Sequence, residues 1–198
     1  MSDNGTRQLV LVDVETNGLA HTIHEAVEVG WWNLSTGERG EFIPAHDVRA
    51  VLANADLRAL QINRYIDRIA MARQDDGGVE ASKLADQLHD NTLVGVNPGF
   101  DAPFLADMFA RYEAQRAFSA PLWHHREWDI NSYAAGVLGL DELPGLVRLC
   151  ELLEVGVSPD HTAVGDVTAA GECFINLRAM ARGHAFRRAT AQIAADHV

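Results

Sequence analysis

The stretch LVDVETNGL, Leu11 to Leu19, decides how this chain is read. It continues an apolar run, and QLVLVDV over 8–14 has the composition of a buried β-strand. Into that run the sequence places Asp13 and Glu15. Alternate residues of a strand share a face, so both carboxylates point the same way at its end. Such a pair repels and one pKa rises, unless a cation, a shared proton or a basic partner lies against it. Taken alone, the pair reads either as a solvated strand end or as part of a metal site.

Outward from this strand, AVEVGWWN at 26–33 reads as a second strand, with Trp31 and Trp32 on opposite faces and one of them facing in. STG at 35–37 is a hairpin turn signal, and a third strand over about 38–44 ends before Pro44, completing an antiparallel meander. Residues 47–72 read as two short helical stretches. They carry Arg58, Arg64 and Arg68, with Arg73 just beyond, a series that fits a solvated face or a phosphate track. QDDGG at 74–78 is a loop, and 79–89 an amphipathic helix with Val79, Leu84 and Leu88 inward. TLVGV at 92–96 reads as a short buried strand. NPGFDAP then turns into a helix over about 102–117, with Pro103 in its first turn. A short strand near 126–129 precedes a helix capped by Asp129. Further helices are expected at 144–154 and about 164–181, the loop GVSPD lies between them, and a separate helical tail occupies 184–198. Three strands followed by alternating helices and strands predict an α/β fold, a mixed β-sheet flanked by helices.

A chain of 198 residues is long enough for one α/β domain, so a single domain is expected over 1–198, with its core at about 8–182. No run of ~18 apolar residues is present to span a membrane. The start, MSDNGTRQ, lacks an apolar signal core, and the expected location is the cytoplasm. Cys150 and Cys173 fall in apolar helical patterns and are expected to pack in the core as free thiols. The formal net charge of −12 argues against non-specific adhesion to nucleic acid. Acids clustered around a bound cation reverse the local sign.

Two further acids stand at the edges of regular elements. Asp101 closes Asn97-Pro98-Gly99-Phe100-Asp101, and Asp166 closes HTAVGD, five residues after His161. With the first pair they make three motifs in order: Asp-x-Glu-Thr-x-Gly-Leu, Asn-x-x-Phe-Asp and His-x-Ala-x-x-Asp. In this the chain resembles the DEDDh 3′→5′ exonucleases, the superfamily of polymerase proofreading subunits, RNase T and oligoribonuclease. The resemblance covers residues ~8–182, and LPGLVRLCELLEVG resembles the helix that precedes the family's third motif.

The resemblance implies an RNase H-like fold. Asp13, Glu15, Asp101 and Asp166 would hold two divalent ions, Mg²⁺ or Mn²⁺, and hard oxygen ligands suit both. His161 would be the general base. Thr162 stands where the superfamily's tyrosine subclass has its Tyr, so the histidine subclass is the match. Thr16, Gly18 and Leu19 would lie against the terminal nucleotide, Phe100 would contact sugar or base, and Asn63 falls in a segment that reaches substrate. The implied activity is metal-dependent hydrolysis from the 3′ end to nucleoside 5′-monophosphates. The implied substrates are single-stranded or frayed 3′ ends of DNA, slightly ahead of RNA as in an exoribonuclease or oligoribonuclease. The chain could work alone, as a homodimer or beside a polymerase in DNA proofreading. An inactive nucleic-acid-binding module on the same fold would have lost an acid or the histidine, and none is lost. A dinucleotide-binding enzyme would lead its first strand into Gly-x-Gly-x-x-Gly, and this strand leads into Glu-Thr-Asn-Gly.

Overall fold

The structure, a computed structural model, describes residues 6–112, 122–157 and 161–195, with side chains of the last helix described to 183. Its centre is β1 (Leu9–Thr16), paired antiparallel with β2 (Ala26–Asn33) on one side and parallel with β4 (Thr92–Gly95) on the other. β3 (Arg39–Phe42) and β5 (Trp128–Asp129) complete a five-stranded sheet in the order β3-β2-β1-β4-β5. The meander and the mixed sheet are those the sequence predicts.

The alternation of β1 splits the core into two layers. Val10, Val12 and Val14 pack with Trp31 and Leu93 against α4 (Val79–Leu88) and α5 (Pro98–Arg111), through Leu84, Leu88, Phe104 and Met108. On the other face Leu11, Trp32 and Val94 meet α6 (Ile130–Leu138), α7 (Leu146–Leu153) and α8 (Ala163–Ala195), through Ile130, Leu149, Cys173 and Phe174. Both tryptophans are therefore buried, one in each layer, because helices cover both faces. Cys150 and Cys173 are free thiols whose sulfurs lie 3.5 Å apart between α7 and α8.

Asp13 and Glu15 share Leu11's face, the one α8 covers. Two glycines set how close α8 comes. A Cβ on Gly30, the register partner of Asp13, would lie 2.5 Å from the backbone carbon and oxygen of Ala163. A Cβ on Gly171 would lie 2.3 Å from the Trp32 ring. The first turn of α8 thus rests directly on β2 beside the acids.

Several boundaries differ from the sequence reading. Residues 47–72 fold as three short helices, α1 (Val48–Asn54), α2 (Leu57–Ile62) and α3 (Tyr65–Arg68), because Arg64 takes a left-handed backbone (φ 54°) that interrupts the last two. α5 begins at Pro98, in the N1 position that suits its missing N–H, after Asn97 with φ 64°. Pro103 accordingly lies inside the helix, and residues 113–117 of the expected helix are outside the described residues. Val79 is 60% exposed, because it is the first residue of α4 and only Ala81, Leu84, Ala85 and Leu88 face the sheet. The expected tail helix is continuous with α8 as far as Ala195, because no Pro stands between the two and Gly183 alone does not stop a helix. Residues 158–160 of the GVSPD loop and 196–198 of the tail lie outside the described residues.

Gly30→Ala is expected to push α8's first turn off the sheet. Overpacking of this kind costs about 1–3 kcal/mol, and urea unfolding should show that loss. A substitution without effect on the unfolding midpoint would show that α8 does not rest on Gly30.

Candidate active site

The pairing of β1 with β4 ends at Leu11, so beyond it β1 has a free edge on that side. Asp101, in the first turn of α5, fills it: its Oδ1 accepts the Val14 backbone N–H at 3.1 Å. The motif turn is anchored in turn by Asp129, whose Oδ1 accepts from the Asn97 N–H at 3.2 Å and from the Asn131 N–H at 3.0 Å. Asp101 is thereby buried next to Asp13.

The third motif arrives on α8. Thr162 caps that helix, its Oγ1 accepting the Gly165 N–H at 3.0 Å while its carbonyl accepts the Asp166 N–H at 2.9 Å. This puts the Asp166 carboxylate over the end of β1. Carboxylate oxygens of Asp13, Glu15 and Asp166 all lie within 4.8 Å of one another. His161 places Nδ1 3.5 Å from Asp166 Oδ2, and its side chain is 45% exposed. Beside it, a hollow of ≈ 600 Å³ between α7 and the start of α8 is lined by Leu146, Val147, Arg148, His161 and Asp166.

Burial first, and then the neighbouring carboxylates, push these acids up. Asp13 lies well above its ordinary value through burial, then Asp101, Glu15 and Asp166. Burial and then Asp166 and Glu28 raise Glu15 to about 8, against an opposing pull from Arg68. Burial raises Asp101 to about 7, the Val14 N–H working against it. Asp166 is raised by burial and held down in part by His161. Clustered oxygen donors, half-buried apart from the buried Asp101, that hold protons for want of positive charge are a donor set that fits hard divalent cations.

The residues expected around substrate are placed unevenly. Thr16 is buried and its hydroxyl donates to the Gly18 carbonyl at 2.7 Å. Gly18 has no room for a Cβ, which would fall 2.4 Å from the His24 ring. Leu19 stands out from this turn, 76% exposed, and His21 beside it contacts Asp107. Phe100 is half-buried on Phe104, ring centroids 5.1 Å apart. Asn63 is buried, and its Nδ2 donates to the Thr16 carbonyl at 3.0 Å, so its side chain acts on the turn.

Sequence reasoning passed over Glu28 and assigned Arg68 to a solvated face or a phosphate track. Arg68 is instead folded inward onto Glu28, Nη2 donating to Oε1 at 2.7 Å and to Oε2 at 2.9 Å. The available signal was a lone charge in AVEVGWWN, a strand whose every residue is buried.

The fold and the acid cluster are those of a nuclease domain. The family model of RNase_T, described as Exonuclease, matches residues 10–174, and the chain belongs to this family, within the DEDDh exonuclease superfamily. No curated protein matches it. Among solved structures it is similar to E. coli exonuclease I in complex with a dT13 oligonucleotide, at a TM-score of 0.69 and 16% identity over 92% of this chain and 43% of that one. The zinc-bound E. coli exonuclease I–ssDNA complex matches at a TM-score of 0.66 and 16% identity, covering 84% of this chain and 39% of that one. The chain thus spans less than half the length of these structures, and the likeness establishes the shared RNase H-like fold. No helix among the described residues is long and apolar enough to cross a membrane.

The raised carboxyls have a consequence for stability. A carboxyl with a higher pKa in the folded chain keeps its proton to a higher pH folded than unfolded. Stability must then fall as pH rises from about 4, the unfolded range, through about 7 for Asp101 and about 8 for Glu15. Tm of the metal-free protein should drop between pH 5 and pH 9, Glu15→Gln should flatten the drop, and Mg²⁺ or Mn²⁺ should restore Tm most at the alkaline end. A metal-free Tm that rises over this range would contradict the assignment.

Proposed function

We propose that the chain is a divalent-metal-dependent 3′→5′ exonuclease that shortens single-stranded or frayed DNA from its 3′ end and releases nucleoside 5′-monophosphates. The observation that carries this reading is the gathering of Asp13, Glu15 and Asp166 within 4.8 Å, with Asp101 adjoining and His161 at its rim. These four acids would hold the metal, Mg²⁺ or Mn²⁺, as two ions. Bound there, divalent cations supply Lewis-acid stabilisation of the charge that develops in a phosphodiester displacement.

The chain's own groups do the rest. With His161 Nδ1 turned toward Asp166, Nε2 is the atom that accepts the proton of the attacking water. Water adds to phosphorus, the bond to the preceding nucleotide's 3′-oxygen breaks, and that oxygen takes a proton from solvent to leave as the new 3′-hydroxyl. The Thr16–Leu19 turn, fixed by Asn63 and closed by the Thr16 hydroxyl, presents backbone and the exposed Leu19 to the terminal nucleotide. Phe100 offers a ring to its sugar or base. A chain of net charge −12 needs cations at the site to receive a polyanion. The single-stranded DNA held by the similar exonuclease I structures supports DNA as substrate.

The test is digestion of 5′-labelled single-stranded DNA, duplex DNA and RNA with Mg²⁺ or Mn²⁺. Ladders should shorten from the 3′ end, a 3′-phosphate should block them, and EDTA should abolish them. Asp13→Ala should lower kcat/KM by about 10²-fold or more, the scale of a lost Lewis-acid contact. His161→Ala should lower kcat by ~10²–10⁴ while metal binding persists. Activity that survives EDTA, or an unimpaired Asp13→Ala, would overturn the reading, and preferential digestion of RNA would reassign the substrate.

A further inference from the structure

We propose that Glu28 and Arg68 form a positioning pair that sets the backbone of the third motif, and with it His161, over the acids of β1; this rests on the exonuclease reading above. Each partner grips one side of Thr162. Glu28 Oε2 accepts the Ala163 N–H at 3.0 Å, and Arg68 Nη1 donates to the His161 carbonyl at 3.3 Å. The two are locked to each other by the fork of Nη2 on both Glu28 oxygens, and Nη1 lies 3.4 Å from Oε2. The side chains are only 19% and 11% exposed for Arg68 and Glu28, so solvent screens the pair little. Arg68 Nη1 also donates to the Asn63 carbonyl at 3.1 Å, and Asn63 holds Thr16. One guanidinium therefore ties the first-motif turn, β2 and the third motif together.

The location of Glu28 raises the competing reading that it is a further metal ligand. It is the register partner of Glu15 across β1 and β2, where like charges repel. Its oxygens are already engaged, however: Oε1 by Arg68, and Oε2 by Arg68 and the Ala163 N–H. A carboxylate so engaged serves as a strut. Arg68 in turn offsets the repulsion by lying against both carboxylates' field, consistent with its downward pull on Glu15. A lysine would keep the charge and lose the fork that reaches Glu28 and two carbonyls at once.

The experiment compares Arg68→Met, Glu28→Gln, their double variant and Arg68→Lys on a 5′-labelled oligothymidylate with Mn²⁺, and follows amide hydrogen exchange at Ala163. Displacing a catalytic group by a fraction of an ångström to one ångström costs up to about 10²-fold. We expect kcat to fall about 10–100-fold in Arg68→Met and in Glu28→Gln, with KM and the salt dependence of binding unchanged. The double variant should be no slower than the slower single one, because both break the same clip. Arg68→Lys should recover part of kcat, and Ala163 exchange should speed up in Arg68→Met. A raised KM with a salt slope lowered by about 1 would make Arg68 a phosphate contact and overturn the proposal. Loss of calorimetric Mn²⁺ binding in Glu28→Gln would make Glu28 a ligand and overturn it too, as would an unchanged kcat. Should Arg68→Met fail to fold, Arg68→Lys carries the same readouts. If the wild-type chain digests no oligonucleotide, the exonuclease reading fails. Ala163 exchange then still decides whether the pair holds the motif, faster exchange supporting it and unchanged exchange overturning it.

Discussion

Mutual repulsion among clustered, half-buried carboxylates is the constraint on which this structure turns. Oxygens of Asp13, Glu15 and Asp166 converge within 4.8 Å, with Asp101 buried beside them. Two unit charges about 5 Å apart repel by roughly 3 kcal/mol at an effective dielectric near 20. Three ionised pairs would rival the whole stability of an ordinary domain, about 5–15 kcal/mol. The cluster survives folding because protons or cations reduce its charge, and because rigid elements hold each acid where it is. β1 carries two of them, the Val14 N–H holds the third, and the cap at Thr162 with the close seat on Gly30 holds the fourth.

Under the exonuclease reading, that geometry also reconciles an acidic chain with a polyanionic substrate. The net charge of −12 is unfavourable for general adhesion to DNA. Under the proposed function, attraction confined to a cation-filled cluster would act at the reacting phosphate alone, where it would also favour the transition state over the bound strand.

Much of the architecture was legible in local pattern. Apolar, β-branched runs in QLVLVDV and AVEVGWWN, and the turn at STG, announce the meander, and the three acid motifs mark where loops meet the sheet. Helix ends were less legible because they depend on single backbone geometries: the left-handed Arg64 divides α2 from α3, and Asn97 in the same conformation starts α5 five residues ahead of Pro103. The continuity of α8 past 183 carries no breaker that would reveal it or deny it. At the site, Asp13 and Glu15 share a face by strand period, a local rule. Arg68 on Glu28 spans 40 residues and Glu28 to Ala163 spans 135, and no spacing in the chain encodes either. Asn63 shows the same limit: its segment was readable only as one that resembles a substrate-reaching segment, whereas its burial beneath the Thr16 carbonyl depends on tertiary packing.

The central claim is that these carboxyls hold protons for lack of a cation and surrender them to one. Isothermal titration calorimetry of Mn²⁺ into the metal-free chain at pH 7, in buffers of different ionisation enthalpy, measures this directly. The account predicts that the observed heat changes with buffer because binding releases protons, about one or more per chain. It also predicts that Glu15→Gln reduces the release. Binding with a heat independent of buffer, or no binding at all, would contradict it.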